Sequence, residues 1–434
     1  MVSMIKNKIR NLLSTGFFHI FGGNVLNKVI SFMSGFVLVR ILTKTEYGRF
    51  THAWNIYGLL LIISGFGIES GALQLASERN NDDGYCRKVF NYGTRYGLKV
   101  NTVIAAVLMI TGLFVNFRIK GTGPLIVMLC LLPFIQLLFS MSSVYLRAAK
   151  RNRDFSALML INTTSVFIFS VILSFFFRER GLVVANYIAG IISLAVSYFF
   201  FKVRLIRRDD APDDAEKNVL LRLSFISMLN SGLSQLLYLL DIFVLGIIDP
   251  DESIIASYKV ATTLPTALVF IPTSLIVYIY PYFAEHRNDR KWCISHYKTM
   301  LLCFGAFNLF ISAIMFIFAP FIVKTLFGAQ YSDCVEVFRV LAVNYFFAGT
   351  FRIISGNLLV TQRKLRFNLI TAIVSSACNI VADFFFIQWW GSMGAAFATV
   401  LVVLISSAMS TIYLIHVFKH IPEKTAEETT VTTP

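Results

Sequence analysis

Twelve apolar runs, each long enough to cross a bilayer as a helix, leave this chain no water-soluble fold. They fall at roughly 17–41, 51–76, 95–117, 123–146, 155–177, 181–201, 223–248, 255–283, 297–322, 335–360, 367–390 and 392–418. About 20 apolar residues of helix suffice to span the hydrocarbon core. A membrane barrel would instead show alternation in segments of about ten residues, and the sequence has none. Only 15% of residues are charged and 56% are hydrophobic. A soluble domain carries about 25% charged residues, so this chain could not cover a water-facing surface. The expected fold is all-α and membrane-embedded.

The net charge of +15 has a topological cause. Lys and Arg collect in the cytoplasmic loops of membrane proteins, and here they are spread over alternate short loops rather than forming a nucleic-acid-binding patch. Arg79, Arg87, Lys88 and Arg95 follow the second run; Arg147, Lys150, Arg151 and Arg153 follow the fourth. Lys202, Arg204, Arg207, Arg208 and Lys217 follow the sixth, Arg287, Arg290 and Lys291 the eighth, and Arg363, Lys364 and Arg366 the tenth. The intervening loops carry fewer. Both termini are therefore expected on the cytoplasmic side of a bacterial inner membrane. The basic segment MVSMIKNKIRNLLSTG is expected to be a cytoplasmic lead-in rather than a cleaved signal.

The charged segment 202–222 separates two halves, 1–201 and 223–418, and 419–434 forms a tail. The halves resemble each other. Arg147–Phe155 aligns with Leu359–Phe367, Tyr47 with Tyr258, and Gly181 with Gly391, at offsets of 212, 211 and 210. Six spans per half is an even number, so both halves face the same way. Such parallel repeats are a transporter architecture, with the substrate path between them. The expectation is two pseudo-symmetric six-helix bundles around a central cavity.

Polar residues inside the spans mark that cavity, because a charge at a helix centre costs about 2.5–3.5 kcal/mol on insertion scales. Lys28 shares a helical face with Asn24, Ser31 and Gly35 in the first span. The seventh carries Asn230, Ser234, Tyr238 and Asp241 at the same spacing. The tenth carries Asn344, Arg352 and Ser355, and the eleventh Ser376, Asn379 and Asp383. The functional reading is a wet cavity with cationic Lys28 and Arg352. The structural alternative pairs Lys28 with Asp241 and Arg352 with Asp383. Glu69, in GFGIESG, sits near a span end and fits either reading. Pro265 and Pro272 in the eighth span either break it toward the cavity or are tolerated as a kink.

Other chemistry finds no support. The six cysteines form no CxxC pair, the six histidines have no ligand spacing, and no metal or other cofactor is expected. No phosphate-binding GxxxxGK[ST] loop occurs. The Asn162-Thr163-Thr164 sequon lies within a span.

Ordered short motifs add a resemblance that covers nearly the whole chain. These are VLVRILTKTEYGRF at 37–50, Asp241 in the seventh span, and ASYKVATTLP at 256–265. LFGAQYSDCVEVFRVLA at 326–342 and the small-residue run Gly391–Ala396 complete the set. In order and spacing the chain resembles the Wzx-type O-antigen and polysaccharide flippases of the MATE-like superfamily. Ala256 stands where that family usually has Gly, and Gln388-Trp389-Trp390 replaces a common Pro-containing turn.

The resemblance implies a non-enzymatic flippase that moves an undecaprenyl-diphosphate-linked oligosaccharide to the periplasmic leaflet by alternating access. It implies Lys28 and Arg352 for the anionic groups, and Asn24, Asn230, Tyr238 and Asn344 for sugar hydroxyls. Asp241 and Asp383 complete the candidate cavity. A polysaccharide polymerase and a chain-length regulator are the implied partners, and H+ or Na+ the implied coupling ion. The first rival is a multidrug or organic-cation antiporter of the same superfamily. The second is a polytopic polymerase or ligase, which the short periplasmic loops disfavour.

Overall fold

Proline, glycine and, at one hairpin, Arg178 mark where the long apolar runs bend. The computed structural model describes residues 17–79, 82–205 and 212–422. Its helices are α1 (Phe17–Ile41), α2 (Lys44–Leu61), α3 (Ile68–Glu78), α4 (Asp83–Phe114), α5 (Thr122–Leu129), α6 (Leu132–Ala148) and α7 (Asn152–Phe199). They continue as α8 (Asp214–Ile248), α9 (Glu252–Leu268), α10 (Phe270–Glu285), α11 (Arg290–Ile317), α12 (Ala319–Leu326), α13 (Val335–Phe347), α14 (Ile353–Thr361) and α15 (Leu365–Lys419). Among the described residues there is no strand.

Several spans are broken. Pro133 has no N–H for the carbonyl four residues back, and α5 ends at that residue, Leu129. The α5–α6 span bends there by 44°. Pro272 ends α9 at Leu268 in the same way, whereas Pro265 is tolerated inside α9. The α2–α3 span bends by 44° as well. There the cause is a run of left-handed backbone at Gly65 (φ 55), Phe66 (φ 49) and Gly67 (φ 68). Counting each broken pair once and each long hairpin twice, the described helices make twelve crossings. The hairpins are the two limbs of α7 and the two limbs of α15.

Both hairpins turn on one residue. Arg178 in α7 has φ 52, ψ −134, and Gly391 in α15 has φ 56, ψ −133. Three residues on, Gly181 packs onto the Leu173 carbonyl and Gly394 onto the Phe386 carbonyl, contacts that leave no room for a Cβ. All of these pairs are separated by 213 residues, as are left-handed Lys150 and Arg363. The sequence offsets align Gly181 with Gly391; the backbone aligns it with Gly394, and Arg178 with Gly391. Ser193 Oγ donates to Asn162 Oδ1 at 3.1 Å, so the limbs of α7 run side by side.

By packing, the chain forms two compact units, Met1–Ala256 and Ser257–Pro434. The first has one core around Ile68, Phe90, Leu137 and Met141 and another around Tyr57, Ile104, Ile126 and Leu129. The second centres on Ile276, Tyr297, Ile354 and Leu414. Large apolar side chains such as Phe176, Phe310 and Trp389 are exposed, as a lipid-facing surface requires. The buried Thr94 and Ser224 hydroxyls are satisfied within their helices, on the Phe90 and Leu220 carbonyls.

Candidate functional site

The break in the second span builds a cavity in the first unit. Where the backbone turns left-handed, it leaves the helical hydrogen-bond pattern and needs new partners. Asn101 of α4 supplies them: its Oδ1 accepts from Gly65 N at 3.0 Å and from Ser64 Oγ at 3.1 Å. Its Nδ2 donates to the Pro133 carbonyl at 2.8 Å, tying the two broken spans together. On the other side α8 lies close through small residues. A Cβ on Gly67 would come within 2.6 Å of the Ser224 carbonyl, and one on Gly71 within 2.9 Å of the Leu220 carbonyl.

The resulting cavity has a volume of about 480 Å³. Its polar lining comes from Tyr57, Ser64, Glu69, Ser70, Gln136, Ser227, Ser231 and Gln235, with Trp54 adding an aromatic wall. Tyr57 Oη donates to Gln136 Oε1 at 3.0 Å, and the Ser140 hydroxyl lies against the half-buried Glu69 carboxylate. Gln136 also lines a second polar space of about 250 Å³, together with Asn162 and Asn186. The first cavity thus offers hydroxyl, amide and carboxylate groups beside two aromatic rings, a set suited to sugar hydroxyls. Among the described residues that line it, Glu69 is the one formal charge.

Ionic ties hold α8 at both ends. At its start, Arg79 bonds Glu216 at 2.9 Å and lies 4.6 Å from the Tyr85 ring centroid. Beyond its end, Arg49 Nε donates to Glu252 Oε1 at 3.1 Å, and Arg118 Nη1 to the Ile248 carbonyl at 3.0 Å. The motif at 37–50 serves this end. Thr43 and Glu46 form a capping box that starts α2, and Gly48 packs on the Glu252 carbonyl with no room for a side chain.

The residues singled out from sequence are dispersed. Lys28 is exposed on α1, which packs along α7. Asp241 is buried on α8. In the second unit, Arg352 closes a π-helical turn, Ala348–Arg352, and Asn344 is half-buried on α13. Asp383 is buried on the first limb of α15, one turn after buried Asn379. The side chains of Asn24, Asn230 and Tyr238 lie outside the described residues. Neither Lys28 nor Arg352 forms an ion pair among the described residues, so the pairings with Asp241 and Asp383 are not made. For Lys28 the reason is packing: its helix runs against α7, while the helix of Asp241 lies on α2 and α3.

Among the described residues, Lys28, Asp241, Asn344, Arg352 and Asp383 all lie outside the lining of the 480 Å³ cavity. On α8 that cavity takes the face of Ser227, Ser231 and Gln235, adjacent to the face of Asn230 and Asp241. Gln136 and Gln235 were the missed signals, since an amide inside an apolar span needs a polar partner as surely as a charge does.

The chain matches a family described as "Polysaccharide biosynthesis protein" over residues 37–336. No curated protein sequence matches it. Among solved structures it is similar to an inward-facing multidrug resistance MATE family transporter of the MOP superfamily, at TM-score 0.73 and 15% identity, covering 91% of this chain and 96% of that one. It is also similar to the lipid II flippase MurJ in an inward closed conformation, at TM-score 0.72 and 13% identity, covering 93% and 89%. A third likeness is to a MOP superfamily transporter from Pyrococcus furiosus, at TM-score 0.61 and 14% identity, covering 93% and 94%. At these identities the likeness is one of fold.

Proposed function

We propose, from the premise that this chain belongs to the polysaccharide biosynthesis protein family, that it flips a lipid-linked oligosaccharide across the bacterial inner membrane. The observation that carries this reading is the hydroxyl-, amide- and carboxylate-lined cavity of about 480 Å³ inside a wholly helical, lipid-facing unit. Lipid cannot solvate such groups, so they serve a polar guest. Trp54 and Tyr57 offer apolar faces to sugar rings, and Glu69, Gln136, Ser227 and Gln235 offer partners to hydroxyls. The polyprenyl tail needs no protein site, because it dissolves in the bilayer.

The diphosphate needs cations, and none lines this cavity among the described residues. Lys28 and Arg352, uncommitted to ion pairs, are the proposed phosphate contacts, with Asn24, Asn230, Tyr238 and Asn344 as further hydroxyl partners. Buried Asp241 and Asp383 are proposed to respond to a coupling H+ or Na+. Transport runs from the cytoplasmic to the periplasmic leaflet, with both termini cytoplasmic and a polymerase taking the product. The likeness to structures titled as a lipid II flippase and a multidrug transporter agrees with an alternating-access cycle.

The test is reconstitution. Vesicles holding the purified chain and a fluorescent polyprenyl-diphosphate oligosaccharide should expose the label to a membrane-impermeant quencher faster than protein-free vesicles. No acceleration would refute the reading. One observation favours a second reading, an organic-cation antiporter: the described cavity carries a carboxylate and no cation. Protein-dependent ethidium efflux without oligosaccharide transport would select it.

A further inference from the structure

A separate cavity of about 440 Å³ opens in the first unit between α6, the second limb of α7 and the backbone of residues 203–205. Its character differs from that of the cavity at the broken span. The walls are aliphatic, from Leu138, Leu194 and Val203, and the rim carries Tyr198 and Arg204. Inside it, Ser197 is 2% exposed and its hydroxyl has no hydrogen-bond partner. A buried hydroxyl without a partner is costly, so the position calls for an acceptor or donor that the described residues do not supply.

Depth in the membrane can be read from neighbouring side chains. Tyr198, Phe199 and Phe200 are exposed by 52%, 71% and 77%. An exposed Tyr at the end of a span marks the headgroup level. Lys202 and Arg204 follow at once and are also exposed. Val203 and Leu205 are buried on either side of Arg204, and Val203 N is held by the Ser197 carbonyl at 3.0 Å. This anchoring turns Arg204 outward over the cavity mouth, its guanidinium 6.0 Å from the Tyr198 ring centroid. Neither Lys202 nor Arg204 forms an ion pair among the described residues.

We propose that this cavity binds an anionic phospholipid, its phosphate on Arg204, its glycerol ester at Ser197 and an acyl chain along Leu138 and Leu194. The charge at the mouth, the unmet hydroxyl within and the aliphatic walls follow the order of groups along such a lipid. The site is independent of the transport cavity and of the transported substrate.

The test uses the full-length chain, purified in detergent and delipidated, with phosphatidylglycerol, phosphatidylcholine or inorganic phosphate added, and bound lipid counted by native mass spectrometry. Phosphatidylglycerol should bind at one preferred site and phosphatidylcholine far more weakly. Arg204→Gln should weaken phosphatidylglycerol about fivefold, the effect of one basic residue near an anionic surface. Leu194→Trp, which fills the cavity, should abolish the site while keeping Arg204. Arg204→Gln alters an exposed side chain, so its result stands even if Leu194→Trp lowers thermal stability. Equal retention of the two lipids by the unaltered protein would overturn the proposal. So would unchanged phosphatidylglycerol in Arg204→Gln, or its full displacement by equimolar inorganic phosphate.

Discussion

Arg49 and Glu252, 203 positions apart in the sequence, meet at 3.1 Å beside Glu179, whose carboxylate lies 3.7 Å from the same guanidinium. The contact joins the first turns of α2 to the entry of α9 and the turn of the α7 hairpin. Gly48 makes the approach possible by leaving room for the Glu252 carbonyl. The pair is only partly exposed, 33% and 19%, so it is screened less than a surface bridge.

Arg49→Gln should therefore destabilise this end of the first unit by about 1–2 kcal/mol, the scale of a charge-assisted hydrogen bond. Arg49→Glu should do more, since it places three carboxylates together. The double swap, Arg49→Glu with Glu252→Arg, should recover much of the loss. Thermal midpoints in detergent of these variants, of Glu252→Arg alone and of the unaltered protein decide it, and additive losses in the swap would dissolve the pair as a unit.

The hairpin turns make opposite predictions for one backbone shape. Backbone near φ 55, ψ −133 is essentially glycine territory and costs other residues about 1–3 kcal/mol. Gly391→Ala should destabilise by about that amount. Arg178→Gly should instead be neutral or stabilising, offset only by a 3.3 Å bond to the Ile41 carbonyl and a 3.9 Å approach to Glu46. Chemical unfolding of the two variants gives the comparison.

Gly67→Ala combines strain at φ 68 with a Cβ placed 2.6 Å from the Ser224 carbonyl. It should push α8 from the broken span at a cost of about 2–4 kcal/mol. Transport should fall more steeply than protein abundance, because the displaced helix is a wall of the cavity. Normal flipping by a stably inserted variant would remove the break from the mechanism.

Inside the cavity, Glu69→Gln and Gln136→Leu should slow oligosaccharide flipping by about 10-fold or more, on the scale of one lost polar contact. Gln136→Leu should also lower stability, because it removes the acceptor of the Tyr57 hydroxyl. Glu69→Gln keeps shape and hydrogen bonding, so its stability should hold. Initial rates in the vesicle assay, with purified protein matched by mass, separate the two effects.

Lys28→Ala and Arg352→Ala should abolish surface polysaccharide in cells while leaving protein levels normal. Neither side chain holds an ion pair that folding would miss. Immunoblots of membranes beside polysaccharide gels make the measurement. Normal polymer in both variants would exclude them as phosphate contacts.

Much of the fold was legible in the sequence because lipid imposes a local rule. Every backbone polar group must be satisfied within its own segment, so run length and loop charge specify crossings one at a time. The capping box at Thr43 and Glu46 and the Pro133 break are equally local, since each rests on atoms within four residues. Even the repeat is visible in the glycines at 181 and 391, although the shared left-handed turns at Arg178 and Gly391 fix its register three residues away.

The cavity was another matter. Periodicity picked out the stripe of Asn230, Ser234, Tyr238 and Asp241 on α8, whereas Ser227, Ser231 and Gln235 are what meet the broken span. That choice depends on Gly67 and Gly71 admitting α8 and on Asn101 holding the turn open, contacts between residues far apart in the chain. The sequence by itself determined twelve crossings, because hydrogen bonding in lipid is settled within each helix. The tertiary structure alone decided that Glu69, Gln136 and Gln235 share one cavity, because a cavity is what several helices leave between them.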